Sequence, residues 1–198
     1  MEKIKIAVLV SGGGTNLQAL IDAERAGIIK SGKISLVLSN KGDAYALKRA
    51  EIAGIKTAVV LKKDYATGAE FEENVIRALE ENGIEFIVLA GFMSILSESF
   101  TSKYKDRIIN VHPSLIPSFC GKGFYGLRVH EAALEAGVRV SGATVHIVTP
   151  ECDAGPIVLQ KAVEVRDDDT PETLQLRIME EAEWNSVDFL HYVVAKVE

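Results

Sequence analysis

Short apolar segments alternate with amphipathic helical patterns through the first half of the sequence, and this alternation restricts the fold more than any other feature. The apolar segments cover residues 4–10, 34–38, 57–61 and 86–90, and the helical patterns cover residues 16–26, 44–53 and 70–81. Apolar runs of this length are typical of strands buried on both faces of a parallel sheet. Strands that alternate with helices form βαβ units, so the pattern predicts an α/β fold with an open, doubly wound, mostly parallel sheet of Rossmann-like type.

The pattern changes after Ile109, with a glycine-rich loop from Ser118 to Gly126 and a short helix near Val129 to Ala136. One more strand is expected from Arg107 to Val111, and two segments, Thr144–Val148 and Ile157–Val165, flank a turn. Such a pair predicts antiparallel strands added to the parallel sheet. Thr170 is followed by Pro171, an order typical of a helix start, so we expect a long C-terminal helix from there towards Val193.

The composition argues against several classes of protein. A net charge of -6 is the opposite of the basic patch that nucleic-acid-binding proteins present. No apolar run approaches the roughly 20 residues that cross a bilayer, and the first ten residues do not form a signal peptide. The two cysteines, Cys120 and Cys152, fit a reducing compartment, and neither has the neighbouring His of a nucleophile motif. We therefore expect a cytoplasmic protein with no membrane or nucleic-acid partner and no catalytic thiol.

A glycine-rich segment at residues 11–16, Ser-Gly-Gly-Gly-Thr-Asn, follows the first strand and opens the first helix. Unpaired backbone N–H groups and the helix dipole attract phosphate at such a position, although the same glycines would also serve a tight turn without a ligand. Thr15 or Asn16 can cap the helix. The dinucleotide fingerprint is incomplete because Leu17 stands where it needs Gly, and no Gly-Lys-Ser/Thr sequence follows. The segment therefore favours a small phosphorylated ligand over NAD or ATP.

Asn110 and His112 lie at the end of the strand expected at 107–111 and, two residues apart, share one of its faces. An amide donor beside an imidazole suits a carbonyl group that becomes an oxyanion, and a distant carboxylate such as Asp153 could orient or charge the imidazole. A single His in this position is equally compatible with a structural role. Open α/β sheets bind ligands beyond the carboxyl ends of their strands, so we expect the glycine segment, residues 90–93 and residues 110–112 to line one crevice.

Motifs along nearly the whole chain resemble those of the folate-dependent formyltransferases. They are Ser-Gly-Gly-Gly-Thr-Asn-Leu-Gln-Ala-Leu at 11–20, Ser-Asn-Lys at 39–41, Leu-Ala-Gly-Phe-Met-Ser-Ile-Leu at 89–96, Asn-Val-His-Pro-Ser-Leu-Ile-Pro at 110–117, Ser-Gly-Ala-Thr-Val-His at 141–146 and Asp-Ala-Gly-Pro-Ile at 153–157. The Asn-x-His-Pro-Ser-Leu and Asp-x-Gly-Pro motifs resemble formyl-folate enzymes broadly. The first motif resembles the phosphoribosylglycinamide formyltransferases in particular.

This resemblance implies an enzyme of purine synthesis that transfers the formyl group of 10-formyltetrahydrofolate, a cosubstrate, to the amine of glycinamide ribonucleotide without a metal or bound cofactor. Asn110 and a protonated His112 would stabilise the oxyanion, while Asp153 would raise the pKa of His112 and assist proton movement through water. The substrate phosphate would rest on Gly12, Gly13, Gly14, Thr15 and Asn16. The pterin would lie against Met93, Ser94, Ile95, Leu96, Asn110, Thr149, Pro150, Glu151, Cys152 and Asp153.

The resemblance also implies a single formyltransferase domain over residues 1–198. Its phosphate-binding βα half would be 1–106, and its catalytic and folate-binding half 107–198. Glu183 matches a substrate-binding acid of the family, although its acidic neighbourhood fits a solvated helix face equally well. His146 is expected to be a structural residue, with a role in the pocket as the alternative, and a homo-oligomer is left open.

Three other functions compete with this interpretation. A formyltetrahydrofolate hydrolase could use the same Asn, His and Asp with water in place of the amine, but has less use for a phosphate loop. A methionyl-tRNA formyltransferase would need a basic surface and a further domain. A non-catalytic phosphometabolite-binding module would bind ligand without turnover.

Overall fold

The computed structural model describes residues 3–180, and seven strands within that range form one sheet. The strands are β1 (Ile4–Val10), β2 (Gly32–Ser39), β3 (Lys56–Val59), β4 (Phe86–Leu89), β5 (Ile108–His112), β6 (Val140–Ile147) and β7 (Ile157–Glu164). Their spatial order is β3-β2-β1-β4-β5-β6-β7. Strands β1 to β5 pair in parallel, whereas β6 pairs antiparallel to both β5 and β7. The predicted fold class and its antiparallel C-terminal strand pair are confirmed.

Helices follow the parallel strands at the expected places. They are α1 (Thr15–Arg25), α2 (Tyr45–Ile52), α3 (Gly68–Glu81), α4 (Glu98–Lys103) and α5 (Leu127–Glu135). Residues 171–180 are also helical, so the expected C-terminal helix begins where predicted, and its continuation lies outside the described residues. The sequence analysis did not predict α4, which has only six residues and is capped by the Ser97 hydroxyl accepting from the N–H of Phe100. A helix this short offers too few turns for an apolar stripe to be recognised.

The inner strands β1, β2 and β4 are buried on both faces, as their apolar runs predict, whereas β3 is an edge strand that is exposed or only partly buried, so the prediction was wrong for that run. Alternate residues of β1 contribute to different hydrophobic clusters: Ile6, Val8 and Val10 pack with α1 and α2, whereas Ala7 and Leu9 pack with α3 and α4. Side chains of a strand alternate between the two faces, so a strand covered on both sides must be apolar throughout.

The chain changes direction across the sheet between β1 and β4. From β1 it proceeds outward through β2 to β3, and it then returns to the other side of β1 and continues through β4 and β5. The two loops at such a reversal leave in opposite directions and open a crevice beyond the carboxyl ends of the strands. The glycine segment follows β1, residues 90–96 follow β4, and His112 ends β5, so the topology brings the expected site segments to one edge.

Candidate active site

A cavity of about 780 Å³ lies at this edge of the sheet. The residues expected to bind folate all line it, as do the expected catalytic residues and the start of α1. These lining residues are Met93, Ser94, Ile95, Leu96, Asn110, His112, Thr149, Pro150, Glu151, Cys152, Asp153, Thr15 and Asn16. The cavity lining does not include Gly12, Gly13 and Gly14, which directly precede Thr15 in the sequence. Glu183 lies outside the described residues.

The buried imidazole of His112 lies between two oxygen atoms. Its Nε2 is 2.9 Å from the backbone carbonyl oxygen of Phe119, and its Nδ1 is 3.5 Å from Oδ2 of Asp153. A carbonyl oxygen only accepts hydrogen bonds, so Nε2 must carry a proton and donate it. In the neutral ring, Nδ1 therefore holds the lone pair that faces Asp153, and it is the nitrogen available for proton transfer.

The carboxylate of Asp153 is fixed from several sides. The N–H of Gly121 donates to Oδ2 at 2.9 Å, and Nε2 of His146 lies 3.5 Å from Oδ1. Burial alone would raise the pKa of this carboxyl group, but His146, the charge of His112 and the Gly121 N–H together lower it to about 2. Asp153 is therefore an anion at neutral pH, 9% exposed at its side chain, between two imidazole rings.

The backbone around Asp153 explains the Asp-x-Gly-Pro sequence. Asp153 itself has a positive φ of 54°, a conformation that Asp tolerates better than most residues. A Cβ atom at Gly155 would lie only 1.8 Å from the carbonyl oxygen of Ile147, so no larger residue fits. The close approach returns the chain to β6, where the N–H of Ile147 donates to the carbonyl of Pro156. This tight loop turns the carboxylate towards His112.

His146 is buried and hydrogen-bonded, as a structural residue would be, and it also lines the cavity. It lies opposite Asn110 across the β5–β6 pair, with its Nε2 3.2 Å from Asn110 Nδ2 and 3.5 Å from Asp153 Oδ1. Its Nδ1 donates to the carbonyl of Ile147 at 3.0 Å, so in the neutral ring Nε2 accepts from Asn110. The alternation along β6 indicates which face of the strand His146 occupies. Only the pairing register of β5 and β6 places it opposite Asn110.

The protonation expected for His112 does not agree with its environment. Burial lowers the pKa of His112 below its usual 6.5 and outweighs both the Phe119 carbonyl and the charge of Asp153, which act to raise it. The charge of Asp153 acts to raise the pKa of His112, as expected, but a ring with 5% exposure loses more hydration than one carboxylate at 3.5 Å restores. His112 is neutral at pH 7.

The segment between His112 and Phe119 is held by a buried hydroxyl group. Thr144 Oγ1 donates to the carbonyl of Ser114 at 2.6 Å and accepts from the N–H of Ile116 at 3.0 Å. Gln160 Nε2 lies 3.0 Å from the same oxygen and 2.9 Å from the carbonyl of Ile116. These bonds fix the turn that carries the Phe119 carbonyl to His112. The sequence analysis did not single out Thr144 or Gln160.

In the glycine segment, two carbonyl groups point towards α2. The carbonyl of Gly12 accepts from the N–H of Ala46 at 3.0 Å, and the carbonyl of Gly13 accepts from Arg49 Nε at 2.8 Å. In a trans peptide the C=O and N–H groups point in opposite directions, so the N–H groups of Gly13 and Gly14 face away from α2. Together with the unpaired N–H groups of the first turn of α1, they are a set of donors suited to an anion, which we call the anion cradle.

Arg49 holds the glycine segment against α2 and was not expected from the sequence. Its Nη1 also donates to Gln18 Oε1 at 3.2 Å, and its guanidinium group stacks on Tyr45 with 5.1 Å to the ring centroid. The expected cap by Thr15 or Asn16 is wrong: α1 is preceded by Gly14, in the left-handed conformation, without a side-chain cap. Thr15 and Asn16 are the first helical residues, which leaves their own N–H groups free of intrahelical acceptors.

The two cysteines remain protonated, in line with the prediction that neither is a nucleophile. Burial and then the charge of Asp153 raise the pKa of the Cys120 thiol. The same two effects raise the pKa of Cys152 to about 11, because its Sγ lies 3.6 Å from Asp153 Oδ2. A thiol is nucleophilic only as a thiolate, so burial and, to a smaller extent, the Asp153 anion suppress the reactivity of both cysteines.

Two further observations concern the described residues as a whole. Within residues 3–180, no three His, Cys, Asp or Glu side chains are grouped so that they could hold a metal ion. In the same range, no helix combines the length and apolar character needed to cross a membrane.

Comparisons with known proteins agree with this geometry. The chain is 44% identical to the phosphoribosylglycinamide formyltransferase of Haemophilus influenzae, over 89% of this chain and 81% of that protein. It is 49% identical to the trifunctional purine biosynthetic protein adenosine-3 of Gallus gallus over 90% of this chain, and it spans only 17% of the length of that relative. The structure of glycinamide ribonucleotide transformylase 1 from Symbiobacterium toebii superimposes with a TM-score of 0.92 at 38% identity, covering 98% of this chain and 89% of that one. The formyl transferase family matches residues 4–190, and we conclude that the chain belongs to this family.

Proposed function

We propose that this chain transfers the formyl group of 10-formyltetrahydrofolate to the amine of glycinamide ribonucleotide. The observation that carries the proposal is the convergence of Asn110, His112 and Asp153 on one cavity wall, with Nδ1 of His112 3.5 Å from the Asp153 carboxylate. The same cavity reaches the N-terminus of α1, beside the cradle for an anion. A phosphorylated amine and a folate cosubstrate are small molecules that fit these two ends.

The first step is attack of the substrate amine on the formyl carbon. A carbon–nitrogen bond forms, and the carbonyl oxygen becomes an anion. One N–H of the Asn110 amide engages His146, which leaves the second for this oxyanion. Neutral His112 accepts the proton from the attacking nitrogen at Nδ1, directly or through one water molecule. A lowered pKa suits this role because the ring is free to accept a proton at pH 7.

In the second step, the proton moves from His112 to the leaving nitrogen of the folate. His112 is now an imidazolium ion beside the Asp153 anion, which stabilises it by charge, and it also strengthens the stabilisation of the oxyanion. The tetrahedral intermediate collapses when the bond from carbon to N10 of the folate breaks. His112 returns the proton to N10, which yields tetrahydrofolate and the formylated ribonucleotide and restores the neutral ring.

The assignments of the binding residues are part of the same proposal. The substrate phosphate would bind Gly12, Gly13, Gly14, Thr15 and Asn16, with Glu183 from the C-terminal region. The pterin would lie between residues 93–96 and residues 149–153, which face one cavity. We place this chemistry in one formyltransferase domain, with phosphate binding mainly in residues 1–106 and catalysis and folate binding mainly in residues 107–198, in the cytoplasm.

The purified protein should formylate glycinamide ribonucleotide only when 10-formyltetrahydrofolate is also present. The decisive control omits the ribonucleotide and follows the folate by absorbance. Equal consumption of folate in both mixtures would identify a hydrolase and refute the proposed transfer. Ligand binding without any turnover would identify a non-catalytic module.

Two substitutions test the roles of the catalytic pair. His112→Ala and Asp153→Asn should each lower kcat by roughly 10²–10⁴-fold, the usual contribution of a general acid–base group. Asp167→Asn is the matched control, because its carboxylate is 87% exposed and does not line the cavity. Circular dichroism establishes that the variants are folded. Turnover near that of the wild type in either catalytic variant would exclude the mechanism.

The pH profile gives an independent measure of the same proton transfer. The rate should fall in acid as His112 becomes protonated, with a midpoint below 6.5, because burial lowers the pKa of His112 in the free protein. A profile of kcat/KM with its acid limb well above 6.5 would contradict the role of neutral His112.

A bulky residue at Gly13 tests the anion cradle. A Cβ atom there would meet no atom within 4 Å, so a larger side chain projects into open space where the phosphate is expected. Gly13→Leu should therefore raise KM for the ribonucleotide by at least tenfold, a loss of about 1.4 kcal/mol, and leave KM for the folate nearly unchanged. Equal effects on both constants would argue against a phosphate site here.

A further inference from the structure

A chain of hydrogen bonds connects the glycine segment to residues 93–94. The hydroxyl of Ser11, which is 4% exposed, accepts from the N–H of Met93 at 2.8 Å and donates to Asn40 Oδ1 at 2.6 Å. The Asn40 amide then donates from Nδ2 to Ser94 Oγ at 2.9 Å. One amide side chain at the end of β2 thus joins the loop after β1 to the loop after β4.

The position of Asn40 separates it from the residues that would contact ligand. Asn40 does not line the cavity, whereas Met93 and Ser94 do. Ser11 immediately precedes Gly12, whose carbonyl is bound by α2, so a shift of Ser11 must displace the anion cradle. Asn40 is half-buried, and its Oδ1 and Nδ2 atoms are each engaged by one of the two loops.

We propose that Asn40 is a positioning residue that couples the two substrate sites, an inference that rests on the proposed function. A phosphate in the cradle orders the glycine segment and, through Ser11 and Asn40, orders residues 93–94 before the folate binds. The second ligand then loses less conformational freedom, so each ligand binds more tightly when the other is present. Since coupling is reciprocal, the same factor must appear whichever ligand binds first.

Calorimetric titration measures this coupling without turnover. The two probes are glycinamide ribonucleotide and tetrahydrofolate, which lacks the formyl group and therefore cannot react. In the wild type, we expect saturating tetrahydrofolate to lower the Kd of the ribonucleotide by roughly fivefold or more, within the usual range of coupling between sites. Asn40→Ala should reduce this factor to about 1 and raise both KM values, while kcat falls no more than about threefold because Asn40 touches no reacting atom.

Two other variants make the test specific. Asn40→Leu keeps the approximate size of the side chain but removes the hydrogen bonds to both Ser11 and Ser94, so its coupling factor should also be about 1. It decides the question if the alanine variant fails to fold. Asn74→Ala is the matched control, because its amide donates to the carbonyl of Glu70 on the exposed side of α3 and lies outside the cavity. Its coupling factor should equal that of the wild type.

The outcomes separate this inference from the proposed function. The coupling is refuted if the wild type turns over but has a coupling factor of 1. It is also refuted if both Asn40 variants keep the coupling factor of the wild type. Either result leaves the proposed function standing. A wild type that neither turns over nor binds the two probes refutes both. Equal loss of coupling in Asn74→Ala would show a general loss of stability and would also refute the inference.

Discussion

Gly14 is the residue of the anion cradle at which a single methyl group should cost the most stability. Its φ of 73° lies in the left-handed region, and a Cβ atom there would be 2.6 Å from Ala46 Cβ and 2.8 Å from Ala46 Cα. Neither atom can move away, because Ala46 lies in α2 and its N–H is bonded to the carbonyl of Gly12. The substitution Gly14→Ala therefore combines backbone strain with overpacking.

The magnitude follows from these two effects. A left-handed conformation costs a residue with a Cβ atom about 1–2 kcal/mol, and an additional methyl group in a filled space costs typically 1–3 kcal/mol. We expect Gly14→Ala to lower the free energy of unfolding by roughly 2–5 kcal/mol. With a urea m value of about 2 kcal/mol/M, the unfolding midpoint should fall by roughly 1–2.5 M.

The neighbouring glycine provides the control. Gly13→Ala places the same methyl group where no atom lies within 4 Å, in the same loop and with the same chemical change. Its free energy of unfolding should stay close to that of the wild type, with a small gain of about 0.4–1 kcal/mol from the less flexible unfolded chain. Urea unfolding curves of both variants, with equal m values, measure the difference. The packing argument fails if Gly14→Ala is within about 0.5 kcal/mol of Gly13→Ala.

Three other predictions concern residues around the cavity. Because the pKa of Asp153 is lowered from 3.8 to about 2, its ionisation should contribute roughly 2 kcal/mol of stability above pH 4 that is lost as the pH falls towards 2. In urea unfolding at several pH values, the difference in free energy of unfolding between wild type and Asp153→Asn should shrink over that range, and a difference independent of pH would contradict the assignment. Thr144→Val removes a fully buried hydroxyl group that bonds Ser114 and Ile116, so it should cost about 1–3 kcal/mol in thermal or urea unfolding and lower kcat; unchanged values would show that the turn does not need this bond. Cys152 should react with iodoacetamide much more slowly at pH 7.4 than a cysteine in a short peptide, with a rate that rises towards pH 11; mass spectrometry of the labelled peptide checks this, and labelling as fast as the peptide would refute the raised pKa.

The sequence was sufficient for the architecture because its signals are local. A strand such as β1, apolar at every position except Lys5, has to be covered on both faces, and the helical stripe of Phe71, Val75 and Leu79 in α3 has to face the sheet. Motifs at strand ends then place Asn110 and His112 at the carboxyl edge. Each of these conclusions depends on residues a few positions apart, which is the range over which the chain's periodicity carries information.

The chemistry of the site depended on contacts between distant segments. His146 joins Asn110 only through the antiparallel register of β5 and β6, and Asn40 joins Ser11 and Ser94 only because β2 and β4 flank β1. The protonation of His112 could not be inferred from its motif, because burial and a neighbouring carboxylate shift the pKa in opposite directions and their balance depends on tertiary packing.

The sequence by itself therefore determined which segments form strands and helices and which chemical groups stand at the ends of the strands. The tertiary structure alone decided which of those groups meet, which oxygen atom lies beside each nitrogen of His112 and why Gly14, rather than Gly13, admits no side chain. The physical reason is that secondary structure follows from periodicity along the chain, whereas distances, desolvation and steric limits arise only when segments far apart in the sequence pack together.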